Sequence, residues 1–308
     1  MSIKNYIANC RVTLPGRILF HCMTRRRKIA LENANRVFKN TLTEDEKLRL
    51  IKSFFSHLVQ SIKESILIHR RKNNPLPRLE VRGLNYLQEA IDLGRGVLIL
   101  SAHLGNWEVI LPAFIKQTKL LSQKTYVIRK TQRPFLQNKL IALYETSGIK
   151  ILESKGALLA GHSILRKKNI LFFVFDQHFS IQDKSGIAAE FFGEKAGCAT
   201  GLAYLAKLTG AAVIPVNQFR SQSNIHTVEF YPQIPWIPSE KKEESIYLNT
   251  LQYNQTLERF ILEHPEQWFG WIHRRWKLNL PSSSTTSMKP NLLNHSFETK
   301  NAENTIEY

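Results

Sequence analysis

Apolar residues recur at helical spacing between Lys28 and about His69: Ile29, Leu31, Ala34, Val37 and Phe38, then Ile51, Phe54, Phe55, Leu58, Ile62 and Ile66. Residues three and four apart share one face of a helix, so this stretch predicts two or three amphipathic helices, an N-terminal helical subregion. Thr43, followed by Glu44-Asp45-Glu46, marks the start of one of them, with a hydroxyl as N-cap and acids against the positive helix end. Asn73-Asn74-Pro75-Leu76-Pro77 breaks the pattern. Beyond it, short apolar runs alternate with helical stretches. Strands are expected at Gly96–Leu100, Lys124–Ile128, Ile170–Phe175, Ala211–Val216 and His226–Ile234. Helices are expected at Trp107–Lys116, Phe135–Thr146, Leu158–Lys167, Thr200–Leu208 and from about Glu243 to Glu263. Runs that are apolar throughout suit strands covered on both sides, and the alternation with helices suits crossover connections. The predicted fold class is therefore α/β, a mostly parallel sheet covered by helices on both faces. After Pro281 the composition turns to serine, threonine and asparagine, so residues 281–308 are expected to be a disordered tail behind a main domain at 28–280.

Charge then narrows the partners. The chain carries 43 Lys+Arg against 25 Asp+Glu, a formal +18. Such a balance favours phospholipid headgroups, phosphorylated glycolipids, acidic carrier proteins or nucleic acid. Cys10, Cys22 and Cys198 are too far apart for a CxxC metal or redox signature and read as unpaired thiols in a reducing compartment. No continuous apolar segment with a small-residue cleavage site marks the N-terminus, so export is not expected. Leu14 to Met23 is interrupted by Pro15, Gly16, Arg17 and His21 and falls short of the ~20 apolar residues of a spanning helix. Membrane contact is expected to be peripheral, through a basic membrane-proximal segment at 1–27 and the adjoining Arg25-Arg26-Arg27-Lys28 run. A solvated start to the next helix is the alternative reading of that run.

The stretch from Gly96 through Ser101, Ala102 and His103 to Leu104-Gly105-Asn106-Trp107-Glu108 holds the clearest chemistry. A histidine and a carboxylate five apart lie ~140° apart round a helix, too far to share a face. The pair is useful only if a helix begins between them, and Gly105-Asn106 followed by Trp107, Val109, Ile110 and Leu111 supplies that turn. His103 then stands at a strand's carboxyl end, where ligands bind in open α/β sheets, and Glu108 in the first helical turn. The pair reads as a general base and its orienter, or alternatively as a capping histidine and a first-turn acid placed for the helix dipole. A second histidine at ligand spacing beside His103 is missing, as is HExxH, so no metal site is expected. From Lys116 to Lys139 seven basic residues, Arg129 and Arg133 among them, stand without an acid, which suits a phosphorylated headgroup or an acidic carrier protein. Asp176 follows the apolar run Leu171–Phe175 and should emerge at the crevice, to orient Arg129 or His178 or to cap a loop.

Ser101-Ala-His-Leu-Gly-Asn-Trp-Glu108 resembles the H-x4-D/E motif of glycerolipid acyltransferases, and specifically the late lipid A acyltransferases. Ile128-Arg129, Phe175-Asp176-Gln177-His178, Phe191-Phe192-Gly193, Ala199-Thr200-Gly201 and Gly210–Pro215 follow in that family's order. Pro265-Glu266-Gln267-Trp268 and Trp271-Ile272-His273-Arg274-Arg275-Trp276-Lys277 are similar to its ending, so the resemblance covers roughly Arg26 to Leu278. It implies His103 and Glu108 as catalytic residues; with the basic run and the cations among the C-terminal tryptophans, the residues expected to bind substrate are Arg129, Arg133, Asp176, His273, Arg274 and Arg275. It implies acyl transfer from an acyl carrier protein or coenzyme A thioester, a co-substrate rather than a cofactor, to a hydroxyl of an anionic membrane glycolipid, a lipid A precursor. It also implies a peripheral place on the cytoplasmic face of the bacterial inner membrane. In that chemistry His103 deprotonates the acceptor hydroxyl with no acyl-enzyme, and Arg129 or backbone N–H groups near Gly105 serve the oxyanion.

Other readings stay in play at this level. The acceptor could be another glycolipid, such as a phosphoinositol mannoside, or a phospholipid. Water as acceptor would give a thioesterase, although no G-x-S-x-G elbow is present. Trp268, Trp271 and Trp276 set among His273, Arg274 and Arg275 would also suit a non-catalytic membrane or nucleic-acid binder, though nucleic acid is not the expected partner.

Overall fold

The computed structural model describes residues 2–70, 76–118, 124–129 and 141–278. Four helices open the chain: α1 (Ile3–Asn9), α2 (Leu14–Cys22), α3 (Thr24–Phe38) and α4 (Glu44–Arg70). Strands and helices then alternate as β1 (Leu79–Arg82), α5 (Leu84–Asp92), β2 (Val97–Ser101), α6 (Trp107–Thr118), β3 (Thr125–Arg129), β4 (Ile149–Glu153), α7 (Ala157–Arg166) and β5 (Ile170–Val174). A hairpin of β6 (Gly186–Phe191) and β7 (Glu194–Ala199) precedes α8 (Gly201–Thr209), β8 (Ala212–Arg220), β9 (His226–Phe230) and α9 (Lys242–Glu263). The chain ends its described part in two 3-10 turns, Pro265–Gln267 and Phe269–Ile272.

The seven-stranded sheet runs β1-β9-β8-β2-β5-β3-β4 and is parallel except where β9 turns back against β8. Helices cover both faces. In β2 the alternation is direct: Val97 and Ile99 join the core under α5 and α6, while Leu98 and Leu100 join the core under α3, α4, α7, α8 and α9. That double burial explains the unbroken apolar run.

Several expectations are corrected. β1, β4 and the β6–β7 hairpin carry no long apolar run and were not foreseen; the hairpin closes on Phe192 and Gly193, both at positive φ, a two-residue turn whose twist matches its strands. β9 stops at Phe230 rather than Ile234, and β8 extends to Arg220. The boundary expected at residue 27 falls inside α3, and the described residues up to Leu278 pack as one unit. Of the helix expected at Phe135–Thr146, residues 141–146 are helical and the rest lies outside the described residues, as does the tail.

Local chemistry sets the N-terminal subregion. Thr43 and Glu46 form a reciprocal capping box, Thr43 Oγ1 accepting from the Glu46 N–H and Glu46 accepting from the Thr43 N–H. α2 lies close against α4 because Gly16 has no side chain: a Cβ there would run into Ser56. No helix among the described residues is long and apolar enough to cross a membrane.

Two half-buried histidines sit against this frame. Burial holds His264, stacked on Phe219, at about 4, and burial together with Arg220 holds His57 at about 4, from an ordinary 6.5. Between pH 6.5 and 4 the unfolded chain therefore binds more protons than the folded one, so their contribution is complete above 6.5 and is lost as pH falls towards 4. His264→Gln should consequently lose less of its thermal midpoint than the wild type between about pH 7 and 4.5. Scanning calorimetry of both proteins checks this, and equal losses would contradict it.

Candidate functional site

The sheet order decides the site. β2 and β5 are neighbours, paired in parallel with Ser101 opposite Val174. Each chain runs two residues further, delivering His103 and Asp176 side by side at the strands' carboxyl ends. His103 Nδ1 lies 2.6 Å from Asp176 Oδ1. A carboxylate at that distance accepts, so Nδ1 carries a proton and the neutral ring has its lone pair on Nε2. Nε2 meets the Gln177 side-chain amide at 3.3 Å, a donor suited to that lone pair. The imidazole stands edge-on to Trp107, with ring centres 5.1 Å apart.

Asp176 is 1% exposed, and its other oxygen is taken by Trp268 Nε1 at 2.7 Å. Burial alone would raise this carboxyl, but His103 and the hydrogen bonds from His103 and Trp268 outweigh it and hold the group below the usual carboxylate range. It stays ionised beside the imidazole, able to stabilise an imidazolium.

The turn after His103 is built for close approach. Gly105 sits at φ +59°, and a Cβ there would meet the backbone of Gln218 and Phe219 on β8. Asn106 donates to Glu64 Oε2 at 3.0 Å and to the Ser61 carbonyl at 3.3 Å, tying the turn to α4. Glu64 also receives Arg220 and His226. Burial works against its charge, yet those hydrogen bonds bring it down to about 2, so it remains a fixed anion under the turn. A strap from Pro265 to His273 holds the other side. Gln267 brackets Arg220 through both its N–H and its carbonyl, Trp268 holds Asp176, and the Phe269 N–H donates to the His103 carbonyl at 2.9 Å.

Glu108 does not orient His103, which corrects the pairing expected from spacing. Its carboxylate takes Arg129 in a two-pronged contact, Nη1 to Oε2 at 2.9 Å and Nη2 to Oε1 at 3.0 Å, with the Tyr144 hydroxyl at 3.4 Å. The reason is strand order: β5 lies beside β2, so the carboxylate after β5 reaches the imidazole, while Glu108 at the start of α6 meets the last residue of β3. Asp176 is corrected in turn, since its partners are His103 and Trp268 rather than Arg129 or His178. Two of the five N–H donors of Arg129 are spent on Glu108, and the Tyr144 hydroxyl is a further hydrogen-bond partner of the guanidinium.

At the C-terminal block, Arg274 is exposed and His273 half-buried, its ring against Phe269. Arg275 was expected at the substrate but is 1% exposed, donating to the Gly197 carbonyl and to Cys198 and lying 4.7 Å over Phe191. This guanidinium fastens the β6–β7 hairpin because its neighbours are a carbonyl, a thiol and a ring rather than open space. Arg133 lies outside the described residues. Trp268 and Trp271 are wholly buried and offer no face to a base. No group of three or more metal-ligating side chains occurs among the described residues.

Trp268 was visible as part of a motif, but its role depends on a contact 92 positions away. Trp268→Phe keeps most of the packing and removes one donor to a buried carboxylate, so turnover should fall about ten- to a hundred-fold with the thermal midpoint little moved. Steady-state kinetics on the variant check this; unchanged turnover would restrict the indole to packing.

A family model described as bacterial lipid A biosynthesis acyltransferase matches residues 7–278. The phosphatidylinositol mannoside acyltransferase of Mycolicibacterium smegmatis is 26% identical over 144 residues, 46% of this chain and 45% of that protein. The lipid A biosynthesis acyltransferase of Haemophilus influenzae is 23% identical over 234 residues, 75% of this chain and 69% of that protein. The lipid A biosynthesis lauroyltransferase of Escherichia coli is 23% identical over 268 residues, 85% of this chain and 82% of that protein. The chain thus spans about half the length of the mannoside acyltransferases it matches and most of the lipid A enzymes.

Proposed function

The chain belongs to the bacterial lipid A biosynthesis acyltransferase family, and from that premise we propose that it moves a fatty acyl group from an acyl thioester to a hydroxyl of a membrane glycolipid, a lipid A precursor. One observation carries the chemistry: a histidine at a strand's carboxyl end with Nδ1 fixed by a buried carboxylate 2.6 Å away and the lone pair on Nε2, which the acceptor hydroxyl takes over from the Gln177 amide. The acceptor hydroxyl gives its proton to Nε2 as its oxygen attacks the thioester carbonyl. The tetrahedral adduct collapses, the carbon–sulfur bond breaks, and the imidazolium returns the proton to the departing sulfur. An ester and a thiol result, with no acyl-enzyme. Asp176 stabilises the imidazolium, contributing at the step where the charge develops. Arg129, fixed by Glu108, is a candidate for the oxyanion or a substrate phosphate. His273 and Arg274 are the further candidates for anionic substrate groups.

The donor in this reading is an acyl carrier protein or coenzyme A thioester. In the same reading the enzyme works at the cytoplasmic face of the inner membrane, where such thioesters are available, and is held there peripherally. A second acceptor is favoured by the relatives themselves, since those of Mycolicibacterium smegmatis and Mycobacterium tuberculosis are named phosphatidylinositol mannoside acyltransferases. Purified protein given a labelled acyl thioester and, separately, an under-acylated lipid A precursor, a phosphatidylinositol mannoside and no lipid separates these. Mass spectrometry should find one acyl group added to the lipid A precursor. Transfer to the mannoside alone would move the acceptor, and free fatty acid without any lipid would make the protein a thioesterase.

A further inference from the structure

α2 is apolar on two opposite sides. Gly16 and Phe20, four apart, face inward, Gly16 against Ser56 and Phe20 edge-on to Phe55 of α4. Leu14 and Ile18, also four apart, point the other way and are 70% and 56% exposed. Exposed Arg17 and His21 flank this outer stripe, and Arg11 and Arg25 stand at its two ends. The charge around it has one sign: residues 1–31 hold Lys4, Arg11, Arg17, Arg25, Arg26, Arg27 and Lys28 and no Asp or Glu. α4 adds to the pattern, for Ile62, Ile66 and Leu67 are exposed together with Lys63, on the half of the helix whose Ser61 and Glu64 hold the catalytic turn through Asn106.

We propose that the outer stripe of α2, with the exposed end of α4, docks on an anionic phospholipid bilayer, Leu14 and Ile18 entering the headgroup boundary and the flanking arginines meeting lipid phosphates. Exposed leucine and isoleucine interleaved with cations, with no carboxylate over the first 31 residues, match such a surface on both counts, apolar and electrostatic. An acidic protein would match the charge but gives no reason for two wide-open aliphatic side chains among arginines. The docking places the membrane beside the helix that braces His103, so an acceptor lipid reaches the site without leaving the bilayer. That last consequence rests on the acyltransfer reading; the docking itself does not.

Flotation of the full chain with vesicles, with no acyl donor present, tests it apart from catalysis. Binding should be strong to vesicles of phosphatidylglycerol in phosphatidylcholine, weak to phosphatidylcholine alone, and reduced as salt rises from about 0.05 to 0.5 M. Leu14→Asp with Ile18→Asp should lower binding to the anionic vesicles at least ten-fold, and Arg17→Glu with Arg25→Glu should abolish its salt dependence. Thermal midpoints near wild type confirm that these surface variants fold. Equal binding to both vesicle types, or wild-type binding by the aspartate pair, overturns the proposal. So does a wild-type dimer that the aspartate pair dissociates in the absence of vesicle binding, because the stripe would then cover a second copy. A chain that binds anionic vesicles yet transfers no acyl group would leave this inference standing and remove the enzymatic one.

Discussion

His103→Ala should lower acyl transfer by about a hundred- to ten-thousand-fold, the span that a positioned general base contributes. In the proposed mechanism the ring supplies Nε2, the lone pair that takes the hydroxyl proton once the Gln177 amide gives way, and Nδ1, the donor to Asp176. Alanine retains neither, but it keeps the backbone carbonyl that accepts from Phe269, so the strap stays seated. The side chain is 17% exposed and forms a lip of the site rather than the centre of a core. Unfolding by heat should accordingly shift little while the rate collapses. Initial rates of transfer to a glycolipid acceptor, with a thermal melt on the same preparation, check both halves.

Asp176→Asn should cost about a hundred-fold or more in kcat, and the reason is a count of donors and acceptors. The carboxylate has two oxygens, and each already has its own N–H: Nδ1 of His103 on one, Nε1 of Trp268 on the other. Asparagine offers one oxygen and one NH2. If the oxygen turns to Trp268, the NH2 faces Nδ1, which must then hold the lone pair, and the ring proton moves to Nε2, where it blocks the base. If the oxygen turns to His103, the buried indole faces a donor and the imidazolium loses its counter-charge. Rates across pH 5 to 9 should show the loss at every pH, because neither arrangement is repaired by titrating the solvent. A variant within a few-fold of wild type would show that the imidazole needs no orienting carboxylate.

The legibility of this fold follows burial. β5, β2 up to Leu100 and β8 from Ala212 to Val216 are apolar because both sheet faces are covered there, and such runs read as strands from sequence alone. β1, β4 and the β6–β7 hairpin are short and mix charged with apolar positions, so their strand character comes from neighbours distant in the chain. The site divides in the same way. His103 and Glu108 are local, and the strand-turn-helix between them was visible in Gly105 and Asn106. Their partners are set by which strands lie side by side, and periodicity carries no information on strand order. Hence Asp176 was placed at the crevice but given the wrong contacts. Arg275 misled for a related reason: a guanidinium beside tryptophans looks like a recognition surface until the hairpin that buries it is in place.

Rescue of the His103→Ala variant by free imidazole tests the central claim most directly, since it returns the proposed base without the side chain. Transfer should reappear in proportion to added imidazole, with a pH dependence following imidazole's own titration, and a non-basic ring of the same size should restore nothing. A variant that transfers acyl groups at the wild-type rate with no imidazole present would contradict the assignment of His103 as the base.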